Sequence, residues 1–104
     1  MPIVIGNLIV FRFKEKTEQK LINQFCKKFY GQDTSSHGGK YHYRRHGLLD
    51  DIPHIKLKGG AIIVKKDSTK KLIDFLKIYE AKFYVRDVVL LHEDEVVLGN
   101  FQPI

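Results

Sequence analysis

A chain of 104 residues suits one domain and is too short for two ordinary ones, and 43% hydrophobic residues with only 3 Pro and 8 Gly exclude a disordered linker. The single Cys26 excludes an internal disulfide and any Cys-rich zinc module, which with no signal sequence in view points to a reducing cytoplasm, and no apolar run approaches the roughly 18 residues of a membrane span. The 18 Lys+Arg against 12 Asp+Glu are unevenly placed: residues 87–104 hold Asp87, Glu93, Asp94 and Glu95 and no Lys or Arg, so the body before them is strongly basic and favours a polyanionic partner.

In chain order, residues 3–13 (IVIGNLIVFRF) are dense in β-branched and aromatic side chains and read as a strand apolar on both faces. Thr17 is placed to cap a helix, Glu18 falls in its first turn, and Leu21, Ile22, Phe25 and Phe29 recur at helical spacing up to Gly31. Cys26 sits at the margin of that stripe, where a thiol acts as a small hydrophobe. Residues 31–39 (GQDTSSHGG) are turn formers and read as an exposed loop. Residues 40–46 (KYHYRRH) alternate aromatic with polar and read as a half-buried strand with Tyr41 and Tyr43 inward. After a connection over 47–53, the stretch 55–66 places a strand around 61–64, with Gly59 and Gly60 at a bend. Asp67 or Ser68 caps a second helix with an apolar stripe of Leu72, Ile73, Leu76 and Tyr79, and residues 82–91 form the last strand. The acidic extension, 92–104, fits a returning edge strand or a short helix.

The two halves resemble each other. A shift of 51 positions lays Lys20, Leu21 and Ile22 on Lys71, Leu72 and Ile73, and Phe25 on Leu76; a shift of 42 lays Lys40, Tyr41 and Arg44 on Lys82, Phe83 and Arg86. A strand–helix–strand unit used twice gives an α+β, ferredoxin-like split βαβ domain (βαββαβ). Its four-stranded, mostly antiparallel sheet carries two helices on one face.

Three segments are similar to RNA-recognition motifs: IVIGNL (3–8) to that family's first-strand signature, TEQKLINQFCKKFYG (17–31) to its first helix, and KGGAIIV (58–64) to its third-strand signature. The resemblance spans about half the chain and implies the same topology. The positions that carry base-stacking aromatics in that family hold Val4, Gly60 and Ile62 here, and LIVFRF before the helix departs from its spacing, so it implies no base stacking there.

Strand alternation puts His42, Arg44 and His46 on the open sheet face if Tyr41 and Tyr43 point inward, and adds Tyr84, Arg86 and Arg12. With Lys40, Arg45, Lys56 and Lys58 at the margins, this face suits a phosphate backbone with one or two stacked bases, RNA or single-stranded DNA. An alternative is metal-independent RNA cleavage by His42 and His46 with Arg44, or with His37 from the Gly-rich loop, although two strand residues four apart lie about 13 Å from one another. A metal site from His46, Asp50 or Asp51, and His54 is geometrically open but fixed by nothing, and no cofactor or membrane partner is expected. The third alternative is a protein-interaction or ligand-sensing module that forms a homodimer through the open face, since Leu8 and Val10 would otherwise be left uncovered.

Overall fold

The computed structural model describes residues 3–36 and 41–99. Strand β1 (Ile5–Arg12) alternates as its sequence requires: Ile9 and Phe11 are buried, while Val10 is 37% exposed on the opposite side. Helix α1 (Gln19–Tyr30) buries Phe25 and Phe29, four apart on one stripe, with Leu21 and Cys26 half-buried beside them. Thr17 does not cap it. Glu18 occupies the N-cap without a side-chain bond, and the helix ends at Gly31, whose φ of +82° favours glycine.

The expected loop at 31–39 is corrected by the structure. Residues Gln32–Ser36 form strand β2, paired antiparallel with β3 (Tyr41–Arg45) in a separate two-stranded ribbon. Residues 41–45 are therefore a strand, as expected, but not one of the main sheet. The expected facing of Tyr43 is also corrected: it is 52% exposed, while Arg44 turns toward the protein. A 3-10 turn (Leu48–Asp51) leads to β4 (His54–Leu57), which pairs with β5 (Ala61–Lys65) through a tight turn at 58–60. A further 3-10 turn (Lys66–Ser68) runs straight into α2 (Thr69–Ile78), where neither Asp67 nor Ser68 makes a side-chain cap. Strand β6 (Lys82–Val89) and helix α3 (His92–Gly99) follow. The acidic extension thus opens with a helix.

The protein is α+β, with a four-stranded sheet in the order β4-β5-β1-β6 that is antiparallel throughout, and three α-helices among the described residues. This arrangement is compatible with a ferredoxin-like fold. The helix correspondence at a shift of 51 has a structural counterpart, because Phe25 and Leu76 are both fully buried. The strand correspondence at 42 does not, since β3 lies outside the sheet that contains β6.

Helices α1 and α2 cover one face, where Phe25, Phe29, Leu72 and Leu76 meet Ile9, Phe11, Ile62 and Val64. Phe25 is the hub: its ring centroid lies 4.9 Å from those of Phe13 and Phe29, 5.3 Å from Tyr79 and 5.5 Å from Phe11 and Phe75. Each such pair adds about 0.5–1.5 kcal/mol beyond the area it buries, which fixes the sheet relative to both helices. No helix among the described residues is long and apolar enough to cross a membrane.

Candidate nucleic-acid interface

Because Ile9, Phe11, Ile62 and Val64 point to the helices, the intervening residues of the same strands point away from them. The ladder sets Arg12 opposite Lys82, Val10 opposite Tyr84 and Leu8 opposite Arg86; on the other side of β1, Val10 meets Ala61 and Leu8 meets Ile63. Leu57 of β4 lies beyond Ala61. The strand residues of this face include Arg12, Lys65, Lys82 and Arg86 but no acid; Asp87 belongs to the helix side, where its Oδ1 accepts a 2.7 Å hydrogen bond from Asn7 Nδ2. Tyr84 is half exposed between Lys82 and Arg86, and Arg86 donates to the Val85 carbonyl at 2.8 Å. The turn holding exposed Lys58 is at the Arg12 end, tied there by a 3.0 Å bond from Phe11 N–H to the Gly60 carbonyl.

The Gly6 end of this face is covered. After β6 the Leu90 N–H donates to the Val4 carbonyl at 2.8 Å and the Leu90 side chain lies on Gly6, where an added Cβ would come within 2.8 Å of Leu90 Cδ2. Gly6 is thus required by close approach. Helix α3 then reaches β4, the opposite edge strand, and Leu98 is 1% exposed although outside the main core. Its Glu93, Asp94 and Glu95 occupy the first turn, where the helix dipole favours acids, and Asp94 Oδ2 accepts from Leu91 N–H at 3.0 Å. Along β1 Gly6 is buried, Leu8 half-buried and Val10 exposed, so the face opens toward Arg12.

The other residues singled out in the sequence are not brought together there. Arg44 is held in a polar node: Nη2 donates to Asp50 Oδ1 at 2.6 Å and to the Tyr30 carbonyl at 2.7 Å, Nε to Asp50 Oδ2 at 3.0 Å, and Nη1 to Asp33 Oδ1 at 3.0 Å. The expectation that Arg44 shares the open face is corrected by this geometry: β3 lies outside the main sheet, and two carboxylates and the Tyr30 carbonyl take four of the five guanidinium N–H donors. The hydrogen bonds of Asp50 and then Asp33 hold its proton more tightly than usual. Desolvation alone would raise the Asp50 carboxyl, but hydrogen bonds from Arg44 and the Gly47 N–H, with the charges of Arg44 and His46, hold it below its ordinary value.

His46 lies off β3, with Nε2 2.6 Å from Asp51 Oδ1, and His54 Nδ1 is 2.7 Å from the Ile52 carbonyl. His42 stands opposite Ser35 in the ribbon register; its side chain, with His37 and Lys40, lies outside the described residues. Arg45 is exposed on the ribbon. Lys56 pairs with Ile62 and so faces the helix side, its Nζ 4.3 Å over the ring of Tyr30, whose phenol is pushed up by burial and by the Cys26 charge. No group of three His, Cys, Asp or Glu among the described residues is placed to hold a metal ion.

Of the expected residues, then, Arg12, Tyr84 and Arg86 share one surface with Lys58 at its margin, and the sequence reading missed Lys82. Its signal was available, since Lys82 has the same strand parity as Tyr84 and Arg86. The chain matches no protein-family model, and searches of curated proteins and of solved structures returned no match.

Proposed function

We propose that this chain is a ferredoxin-like split βαβ domain with an inserted β2–β3 ribbon, and that it binds RNA or single-stranded DNA on the open face of its sheet. The strand order, with α1 leading from β1 toward β4 and α2 joining β5 to β6, supports the topology. One observation carries the binding reading: the register sets Arg12, Lys82, Tyr84 and Arg86 on a strip that holds no acid. Successive same-face residues on a strand are about 6.6 Å apart, so Lys82 and Arg86 flank Tyr84 at a spacing that lets a base stack on the ring while the backbone on either side meets a cation. The Arg forks supply two-pronged contacts and Lys82 a point charge. An open sheet face suits an unpaired strand, whose bases are free to lie on it.

The test is anisotropy of labelled single-stranded RNA and DNA and of a duplex. Tyr84→Ala is expected to weaken single-strand binding by about five- to a hundredfold, and Tyr84→Phe to retain it, because one stacked base is worth about 1–3 kcal/mol. Wild-type affinity in Tyr84→Ala, or no binding by the wild type, refutes the reading. A stable dimer in sedimentation that buries Val10, Leu57 and Tyr84 would assign the strip to a second copy instead.

A further inference from the structure

The strip runs at its Arg12 end into a cavity of about 330 Å³ lined by Arg12, Phe13, Lys14, Glu15 and Lys82. That volume is at the small end for ligand pockets and suits a compact charged group. Arg12 and Lys82 face each other across the β1–β6 ladder, and Lys14 enters from the segment just beyond β1. Among the described residues none of these three cations has an ion-pair partner or a side-chain hydrogen bond. Glu15 is the one acid of the lining, so the cavity keeps a net positive charge. Phe13, between Arg12 and Lys14, anchors this segment of the lining to the core, since its ring packs edge-on against Phe25 at 4.9 Å.

The opposite end of the same face carries the acids of α3, Glu93, Asp94 and Glu95. A polyanion lying along the strip is therefore repelled from the Gly6 end and drawn toward Arg12. An internal phosphodiester brings one negative charge to the cavity, whereas a terminal monoester brings about −1.5 to −2 at pH 7 and three acceptor oxygens. Three unengaged cations, one of them a guanidinium fork, match the second better than the first.

We infer that the Arg12–Lys14–Lys82 cavity receives a terminal phosphate monoester, so that the face holds a nucleic-acid strand by its phosphorylated end. This rests on the single-strand binding reading above. Phosphate at a 5′ end and at a 3′ end offers the same chemistry, and the experiment separates them.

An internally labelled strand of about eight nucleotides is displaced by unlabelled strands of the same sequence bearing a 5′-phosphate, a 3′-phosphate or hydroxyls at both ends. One phosphorylated form is expected to compete about five- to tenfold better than the hydroxyl form, the scale of a few partly exposed ion pairs. Lys14→Ala should bring that ratio toward one. Glu15→Gln should raise it, a gain that damage to the fold does not produce, and Lys71→Ala on the far side of α2 should leave it unchanged. Equal competition by all three forms, with binding intact, overturns the end-recognition inference and leaves the strip; absence of any binding overturns both.

Discussion

Arg44 grips the Asp50 carboxylate with two nitrogens, Nη2 to Oδ1 at 2.6 Å and Nε to Oδ2 at 3.0 Å. The same guanidinium bonds the carbonyl of Tyr30, at the end of α1, and Asp33 of β2, so one side chain latches the ribbon and the 3-10 turn to the helix. Asp50 is 5% exposed. Asp50→Ala would leave a half-buried guanidinium and the Gly47 N–H without their main acceptor, and is expected to lower the unfolding free energy by about 2–3 kcal/mol. Urea denaturation checks this; a loss under about 0.5 kcal/mol would show that the latch contributes little.

The same carboxyl predicts an acid limb. Its folded pKa lies below the ordinary value, so its contribution is complete above the ordinary carboxylate range. That contribution is lost as pH falls through about 4 and below, toward the depressed folded value. Stability measured across pH 7 to pH 2 should drop in that window for the wild type and drop less steeply for Asp50→Asn. Identical acid limbs in the two proteins would assign the effect to other groups.

Helix α3 is expected to owe its position to Leu98 and Leu90 rather than to its own propensity, since eight residues are too few to hold a helix alone. Leu98→Ala should cost about 2–4 kcal/mol and raise amide exchange in residues 92–99 ahead of the strands. Unchanged exchange there would show that the helix is held by something else.

The parts of the fold that were legible in the sequence are those with a clean apolar period. Phe25 and Phe29, and Leu72 and Leu76, announced their helices because three or four positions fix a stripe. Residues 32–36, QDTSS, carry no such period; their strand is imposed by pairing with residues 41–45 and by the Arg44–Asp33 contact across eleven positions, neither of which is local. The facing of Tyr43 was misread for the same reason: alternation tells which residues share a face, not which face is inward, and in a ribbon off the main sheet the Arg44 ion pair decided it. Four residues at His54–Leu57 are too short a run to distinguish from a turn. At 92–99 Val96 and Val97 are exposed while Leu98 is buried, so the apolar residues mark no single side of the helix. On the open strip, Tyr84, Arg86 and Arg12 were legible because parity groups them and the apolar Phe11, Phe83 and Val85 of the opposite parity mark the inward side.

The central claim is that cations of the strip, and not those of the polar node, meet a polyanion. Its most direct test is the dependence of single-strand affinity on salt in the wild type, Arg86→Ala and Arg44→Ala. With three or four phosphates neutralised, log K should fall against log salt with a slope of about −2 to −3, and Arg86→Ala should flatten it by about 0.7. Arg44→Ala should leave the slope unchanged. A slope near zero, or one flattened by Arg44→Ala and untouched by Arg86→Ala, would contradict the account.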